Sequence, residues 1–134
     1  MKAFQPYLNF DGKTREAMAF YQQCLGGQLD IQTYADTHAA KPGSEDRVIH
    51  ARLSNGPAVL MASDSPVGMA VKHGNGVYVN VDCDSVEEIE RIFKAMSVGA
   101  NVTAPLADQF WGARFGMLTD KFGLNWMFNC ELKK

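Results

Sequence analysis

The order of the predicted strands and helices restricts the fold of this chain most strongly, because the same order occurs twice. Residues 3–10 alternate apolar and polar side chains, as a half-buried strand does. Apolar residues at helical spacing follow, from the candidate N-cap Thr14 to Gly26, a residue type that can end a helix. Three more strands are predicted after this helix, the last two joined by the hairpin signal Asn55-Gly56. The first half is therefore predicted to be strand, helix, strand, strand, strand.

The second half repeats this order. Residues 76–82 alternate as a strand, and Ser85 with Glu88 forms a capping-box signature at the start of a helix that ends at Gly99. Three further strands are predicted near residues 101–108, 113–120 and 124–131. We therefore predict an α+β protein of two tandem βαβββ units.

The length and charge of the chain narrow the class of protein further. Its 134 residues fit one domain, with a first unit at about residues 3–63, a linker at about 64–75 and a second unit at about 76–131. Lys and Arg number 13 against 15 Asp and Glu, so the formal charge of −2 offers no basic surface for nucleic acid or an anionic membrane. We expect a small molecule or another protein as the partner.

The sequence also indicates a cytoplasmic protein. No apolar run approaches the ~20 residues that span a bilayer, and the N-terminal residues lack the apolar core of a signal peptide. Cys24, Cys83 and Cys130 lie far apart and form no Cys-x-x-Cys pair, a usage typical of a reducing compartment. Cys83 lies between Asp82 and Asp84, and this acidic setting should raise the pKa of its thiol.

Six motifs occupy particular places in this order of elements. They are residues 6–12 (PYLNFDG), Glu16-Ala17, Phe20-Tyr21, Leu25-Gly26, residues 110–116 (FWGARFG) and residues 119–129 (TDKFGLNWMFN). Together they resemble the PhnB-like branch of the vicinal-oxygen-chelate superfamily, which includes glyoxalases, bleomycin-resistance proteins and dioxygenases. The resemblance covers essentially the whole chain. It implies two open, cup-shaped mixed sheets, each with one helix packed outside it, and a homodimer.

The resemblance also implies positions for a divalent metal, which the superfamily holds with His, Glu or Gln on the first and last strand of each unit. Carried across, these positions fall on Pro6 (or Tyr7, if the register differs by one), Met61 or Leu60, Gly76 and Met127. None of these side chains suits Ni, Zn, Mn or Fe, because thioethers favour soft metals such as Cu(I). We therefore predict no metal and no other cofactor; an unusual ligand set stays an open alternative.

Strand alternation predicts which face of each sheet packs on its helix, since that face must be apolar. Ile49, Ala51 and Leu53 are assigned to the helix side of the first unit, and Val77 to the helix side of the second. Asn125 falls on the opposite side, inside the cup.

The residues between the apolar positions are predicted to line the cups. On the first strand we prefer Tyr7 and Asn9 to Pro6 and Leu8, because polar groups need water or hydrogen-bonding partners. The predicted pocket comprises Tyr7, Asn9, His50, Arg52, Met61, Tyr78, Asn80, Trp111, Met127 and Asn129. A few polar groups between apolar walls are the usual form of a small-molecule site.

His50 and Arg52 are the candidate reactive groups of this pocket. The ordinary pKa of histidine suits general-base catalysis near neutral pH, so His50 is the candidate catalytic residue. Arg52 can hold a carboxylate or phosphate through two parallel hydrogen bonds. The alternative is that both side chains simply face solvent or a dimer partner.

Several other residues are weaker candidates. Trp111 either covers the cup as an aromatic lid or anchors the core. His38 and His73 lie in predicted loops, at spacings from His50 that match no metal-ligand motif. The apolar linker residue Met69 is expected to pack on a partner subunit or cap the cup.

Three functions fit these expectations. The first, which the unfilled metal positions favour, is a small-molecule-binding protein without the divalent metal, similar to the bleomycin-resistance members. The second is an enzyme of the same fold that performs isomerase-, lyase- or transferase-like chemistry on a small oxygenated substrate, with His50 as base. The third is a structural or interaction subunit.

Overall fold

The computed structural model of the chain describes residues 1–37 and 42–133. Their elements, in order, are β1 (Tyr7–Phe10), α1 (Thr14–Leu25), β2 (Gln28–Thr33), a 3-10 turn (Tyr34–Asp36), β3 (Val48–Asn55), β4 (Ala58–Asp64), β5 (Val79–Asp82), α2 (Val86–Met96), β6 (Asn101–Asp108), β7 (Ala113–Thr119) and β8 (Asn125–Glu131). The predicted α+β fold with a repeated βαβββ order is confirmed. Neither helix of the described residues has the length and hydrophobicity needed to cross a membrane.

Backbone contacts divide the chain into unit 1, Met1–Lys72, and unit 2, His73–Lys134. The sheet of unit 1 has the strand order β1-β4-β3-β2, and that of unit 2 has the equivalent order β5-β8-β7-β6. In each unit the first strand is parallel to the last, and the remaining pairs are antiparallel. Each sheet is therefore mixed and open.

The core of unit 1 lies between α1 and one face of its sheet. The buried apolar side chains from the strands and the helix are Leu8, Phe10, Val48, Ala51, Leu53, Leu60, Ala62, Ala17, Met18, Tyr21 and Cys24. Burying each of the larger apolar side chains contributes roughly 1.5–3 kcal/mol. The opposite face of the sheet is left without a helix.

The start of α1 is fixed by a carboxylate that is distant in sequence. Lys13 is the N-cap residue, and Thr14, which we predicted at that position, is instead the first helical residue. Asp64 Oδ1 accepts hydrogen bonds from the Thr14 amide and hydroxyl, at 3.1 and 2.8 Å, while Oδ2 accepts from the Val48 amide at 2.9 Å. The buried carboxylate thus joins β4, β3 and the positively polarised helix start.

Helix α2 begins almost as predicted and packs on β8. Ser85 Oγ accepts from the Glu88 amide at 3.1 Å, but the Glu88 carboxylate accepts from the Asp84 amide, one residue before the position expected in a capping box. Phe93 of α2 meets Phe128 of β8 edge to face, with ring centroids 5.3 Å apart. The apolar stripe of the helix therefore forms the core of unit 2.

The turn between β7 and β8 is organised by Asp120, which is 4% exposed. Its Oδ1 accepts from the amides of Phe122 and Leu124, at 2.8 and 3.0 Å. Its Oδ2 accepts from the indole Nε1 of Trp126 at 2.8 Å. One carboxylate thus holds the turn and orients the largest fully buried side chain of the described residues.

Two predicted strands begin later than expected. Val77 lies outside β5 and is 76% exposed, so its assignment to the helix side was wrong. The carbonyls of Gly74 and Val77 accept from the side-chain amide of Asn125, at 2.8 and 3.2 Å, and this contact holds the segment before β5. In unit 1, β1 likewise begins only at Tyr7.

A register shift between Gln32 and Thr33 changes the start of β3. Thr33 pairs with Val48, while Gln32 pairs with His50, so Ile49 is the extra residue. Val48 is 1% exposed and occupies the core, whereas Ile49 is only half-buried. The assignment of Ile49 to the core-facing series was therefore wrong, although those of Ala51 and Leu53 are confirmed.

Candidate functional site

The face of the unit 1 sheet opposite α1, here called open face 1, carries the polar side chains that were predicted to line the cup of unit 1. Residues that are paired on neighbouring strands lie on the same face of a sheet. One row of paired residues crosses the sheet from β1 to β2 and consists of Tyr7, Met61, Arg52 and Asp30. Asn9 is paired with Ser63, and His50 with Gln32. The structure therefore brings together five predicted residues, namely Tyr7, Asn9, His50, Arg52 and Met61.

A side-chain contact links β1 to β3 across open face 1. Tyr7 Oη lies 3.1 Å from His50 Nδ1, and the two ring centroids are 5.7 Å apart. Tyr7 remains 46% exposed, so the pair is accessible to a ligand. The same face holds a weaker contact, in which Ser63 Oγ donates to Asn9 Oδ1 at 3.3 Å.

The corresponding face of the unit 2 sheet, here called open face 2, has a different chemistry. Asn80 is paired with Met127, and Asp82 with Asn129, whose Nδ2 donates to Asp82 Oδ1 at 3.3 Å. The thioether of Met117 and the ring of Phe115 face the same way on β7. Open face 2 is therefore more apolar than open face 1.

Trp111 contributes to this second face from the β6–β7 turn. It packs on Phe115 with ring centroids 6.0 Å apart and is 54% exposed, so it does not anchor the core. Tyr78, which we assigned to the pocket, lies just before β5 and is half-buried. Whether either side chain touches a ligand stays a prediction.

One predicted cup residue serves the fold instead. Asn125 is paired with Thr119 on the expected face, but it is 5% exposed because the segment before β5 covers it. Its Oδ1 accepts from Thr119 Oγ1 at 2.9 Å, and its Nδ2 makes the two backbone contacts described above. All the polar atoms of this amide are engaged, so Asn125 is a structural residue.

Sequence reasoning missed Phe115 and Met117, which the structure places beside Asn129 and Met127. The sequence of residues 113–119 (ARFGMLT) could have indicated them, because the alternation of side chains along a strand puts Phe115 and Met117 on the same face. The face of β7 becomes clear only when its register with β8 is known.

The residues at the positions of the superfamily's metal ligands do not fit that metal. Of the positions that the resemblance implies, Tyr7 and Met61 lie on open face 1 and Met127 lies on open face 2, while Pro6 and Gly76 lie outside the strands and Leu60 is buried in the core. A phenol and thioethers lack the imidazole or carboxylate donors that Ni, Zn, Mn and Fe prefer. The described residues also include no group of three or more His, Cys, Asp or Glu arranged to hold a metal ion. His38 lies outside the described residues.

The cysteines have no catalytic setting. Cys83 is buried, and this burial raises the pKa of its thiol to about 12, with smaller contributions from Glu88, Cys130, Asp82 and Asp84. The direction of the shift was predicted from the flanking aspartates, but burial is its main cause. A thiol with this pKa is essentially protonated at physiological pH and is a poor nucleophile.

We expect the native protein to resist thiol alkylation. With a pKa of about 12, the thiolate fraction of Cys83 at pH 8 is about 10³-fold below that of an exposed cysteine. Mass spectrometry after iodoacetamide treatment at pH 8 should find no label on Cys83 in native protein, and labelling of all three cysteines in urea. Rapid labelling of native Cys83 would contradict this expectation.

The fold and the two open faces define the class of the protein. A crystal structure of a glyoxalase/bleomycin resistance protein/dioxygenase family enzyme from Burkholderia phytofirmans aligns with a TM-score of 0.66, covering 97% of this chain and 100% of the other at 19% identity, which shows the shared fold. The family model described as 3-demethylubiquinone-9 3-methyltransferase matches residues 2–128. The chain therefore belongs to this PhnB-like family, as its motifs predicted.

Other relatives agree with this membership. Protein YjdN of Escherichia coli is 31% identical over 92% of this chain and 92% of its own length. The crystal structure of protein PA1353 from Pseudomonas aeruginosa aligns with a TM-score of 0.87 at 40% identity, covering 98% of this chain and 100% of the other. A putative 3-demethylubiquinone-9 3-methyltransferase, the PhnB protein from Bacillus cereus, aligns with a TM-score of 0.79 at 29% identity, covering 96% and 99%.

Proposed function

We propose that this chain is a small-molecule-binding protein that works without the divalent metal of its superfamily. The observation that carries the proposal is the composition of open face 1. Tyr7 and Met61, which the resemblance places among the candidate metal positions, do not suit such a metal, and the polar side chains of His50 and Arg52 lie on the same face. An accessible face with a few converging polar groups suits a small ligand.

An enzyme of the same fold is the second candidate. The position of His50 on an accessible sheet face supports it, because histidine is the side chain most often used as a general base. The name of the matching family also includes a methyl transfer. In this alternative His50 acts as base toward a small oxygenated substrate, and the chain requires a separate methyl donor for any methyl transfer.

We further propose that the protein forms a homodimer in the cytoplasm. Exposed apolar residues of unit 1, Val67 at 59% and Met69 at 58%, support an interface with a second copy. The three free cysteines support a reducing compartment. Analytical ultracentrifugation tests the dimer, and a monomer at micromolar concentration would contradict it.

A thermal-shift screen tests the binding function. The library should contain metabolites, antibiotics and S-adenosylmethionine, and each compound should be measured with and without a chelator. A ligand at 100 times its Kd stabilises the folded state by about 2.7 kcal/mol. We therefore expect a rise in Tm of several degrees that the chelator does not remove.

Three results, from elemental analysis of the purified protein, from activity assays and from the screen itself, lead to different conclusions. Stoichiometric Ni, Zn, Mn or Fe in the purified protein would overturn the metal-free proposal. Turnover of a stabilising compound that is lost in His50→Ala would favour the enzyme. The absence of any stabilising compound would overturn the binding function and favour an interaction subunit.

A further inference from the structure

The contact between Tyr7 and His50 decides which groups open face 1 offers to a ligand. A phenol O–H is a stronger donor than an imidazole N–H, and an imidazole nitrogen is a stronger acceptor than a phenol oxygen. At 3.1 Å the preferred arrangement is therefore donation from Tyr7 Oη to His50 Nδ1. In a neutral imidazole whose Nδ1 accepts, the proton is on Nε2. His50 then presents an N–H donor and not a basic nitrogen.

Arg52 adds a second set of donors on the same face. It lies two residues after His50 on β3, about 7 Å along the strand. Arg47 forms an ion pair with Asp11, and Arg114 forms ion pairs with Asp108 and Glu90. The guanidinium of Arg52, in contrast, has no hydrogen bond or ion pair with any described residue. Five N–H donors are therefore available next to His50.

The neighbours of Arg52 indicate the side from which a ligand approaches. Asp30 is paired with Arg52 on the outer strand β2, where its Oδ1 accepts from Gln28 Nε2 at 3.4 Å. Its carboxylate repels anions on that side. On the other side Arg52 is paired with Met61, and Met61 with Tyr7, so no carboxylate lies in this row toward β1.

We propose that His50 Nε2–H and the Arg52 guanidinium recognise the oxygen atoms of a carboxylate or phosphate group on the small-molecule ligand, above Met61. Tyr7 is the positioning residue that fixes His50 as a donor. This inference rests on the proposed binding function and names the ligand class as an oxyanion. It also removes the resting His50 from the role of general base.

Nitrogen-15 NMR of the free protein tests the role of Tyr7 without any ligand. At a pH where imidazole rings are neutral, we expect the His50 ring to carry its proton on Nε2 in the wild type, and to populate both tautomers in Tyr7→Phe. Tyr34→Phe, a tyrosine outside open face 1, serves as the matched control and should leave His50 unchanged. His50→Gln identifies the signals by their loss. An Nδ1–H tautomer in the wild type, or identical spectra in Tyr7→Phe, would overturn the inference.

Titration with acetate and with inorganic phosphate tests the ligand class. Each anion should shift the His50 signals saturably, and the tighter of the two identifies carboxylate or phosphate as the natural group. Arg52→Gln should weaken binding by at least about 10-fold, since a hydrogen bond to a charged group is lost. Arg91→Gln, an exposed arginine on α2, is the matched control and should bind as the wild type does.

The two proposals fail in different ways. If neither anion shifts His50, or if Arg52→Gln binds both as tightly as the wild type, the oxyanion assignment is overturned. If the screen then finds neutral compounds that stabilise wild type and Arg52→Gln equally, the binding function stands without that assignment. If no compound stabilises the protein, the binding function fails, while the NMR result still decides the role of Tyr7.

Discussion

Asp120→Ala is expected to lower the free energy of unfolding by about 3–5 kcal/mol, because it removes the acceptor of three hydrogen bonds, two of them buried and one partly buried. The amides of Phe122 and Leu124 lose their partner in the β7–β8 turn, and the indole of Trp126 loses its partner in the core. Trp126 is 1% exposed, so its N–H cannot simply turn to water. Urea denaturation followed by tryptophan fluorescence measures the change.

Two control variants test whether the loss of stability comes from the hydrogen bonds that Asp120 accepts. Asp120→Asn keeps one acceptor oxygen and should lose less stability than Asp120→Ala. Asp84→Ala removes an exposed carboxylate of the same unit and should change the stability by less than about 0.5 kcal/mol. A loss below about 1 kcal/mol in Asp120→Ala would show that the turn and the indole find other partners.

Asp64→Ala is expected to lower the free energy of unfolding by about 2–4 kcal/mol. The carboxylate accepts three hydrogen bonds and is 5% exposed, so its removal leaves the Thr14 amide and hydroxyl and the Val48 amide unsatisfied. It also removes negative charge from the start of α1, where such charge is favourable. Chemical denaturation together with circular dichroism measures both the stability and the loss of helix.

Thr14→Val measures how much one of the three hydrogen bonds contributes to the loss of stability in Asp64→Ala. It retains the shape of the threonine and removes only the hydroxyl, which should cost about 1 kcal/mol. Asp30→Ala removes an exposed carboxylate from the outer strand of the same sheet and should be close to neutral. Equal losses in Thr14→Val and Asp64→Ala would contradict the view that one carboxylate joins three elements.

Much of the site could be predicted because successive side chains of a strand point alternately to the two faces of its sheet. Alternation, together with the need of polar groups for water or partners, placed Tyr7 with Asn9, and His50 with Arg52, on the side of the sheet away from α1. The same rule placed Asn80 and Met127 together in unit 2. These assignments needed no knowledge of distant contacts.

The errors occurred where a distant partner decides the local structure. Val77 is exposed and lies outside β5, in a segment whose carbonyl accepts from Asn125, 48 residues later. Thr14 is not the N-cap, and its side chain instead bonds Asp64, 50 residues later. Ile49 leaves the core because β2 and β3 shift register at Thr33. Local periodicity contains no information about such partners.

Two of the four outer strands, β2 and β6, affect how this protein behaves at high concentration. An unpaired strand edge is a template for fibril growth unless something interrupts it. Pro105 deprives β6 of one backbone donor, and the register of β6 with β7 is irregular on both sides of Ala104. Along β2, polar Gln28, Asp30 and Gln32 occupy alternate positions. These two edges are therefore poor templates for adding a further strand.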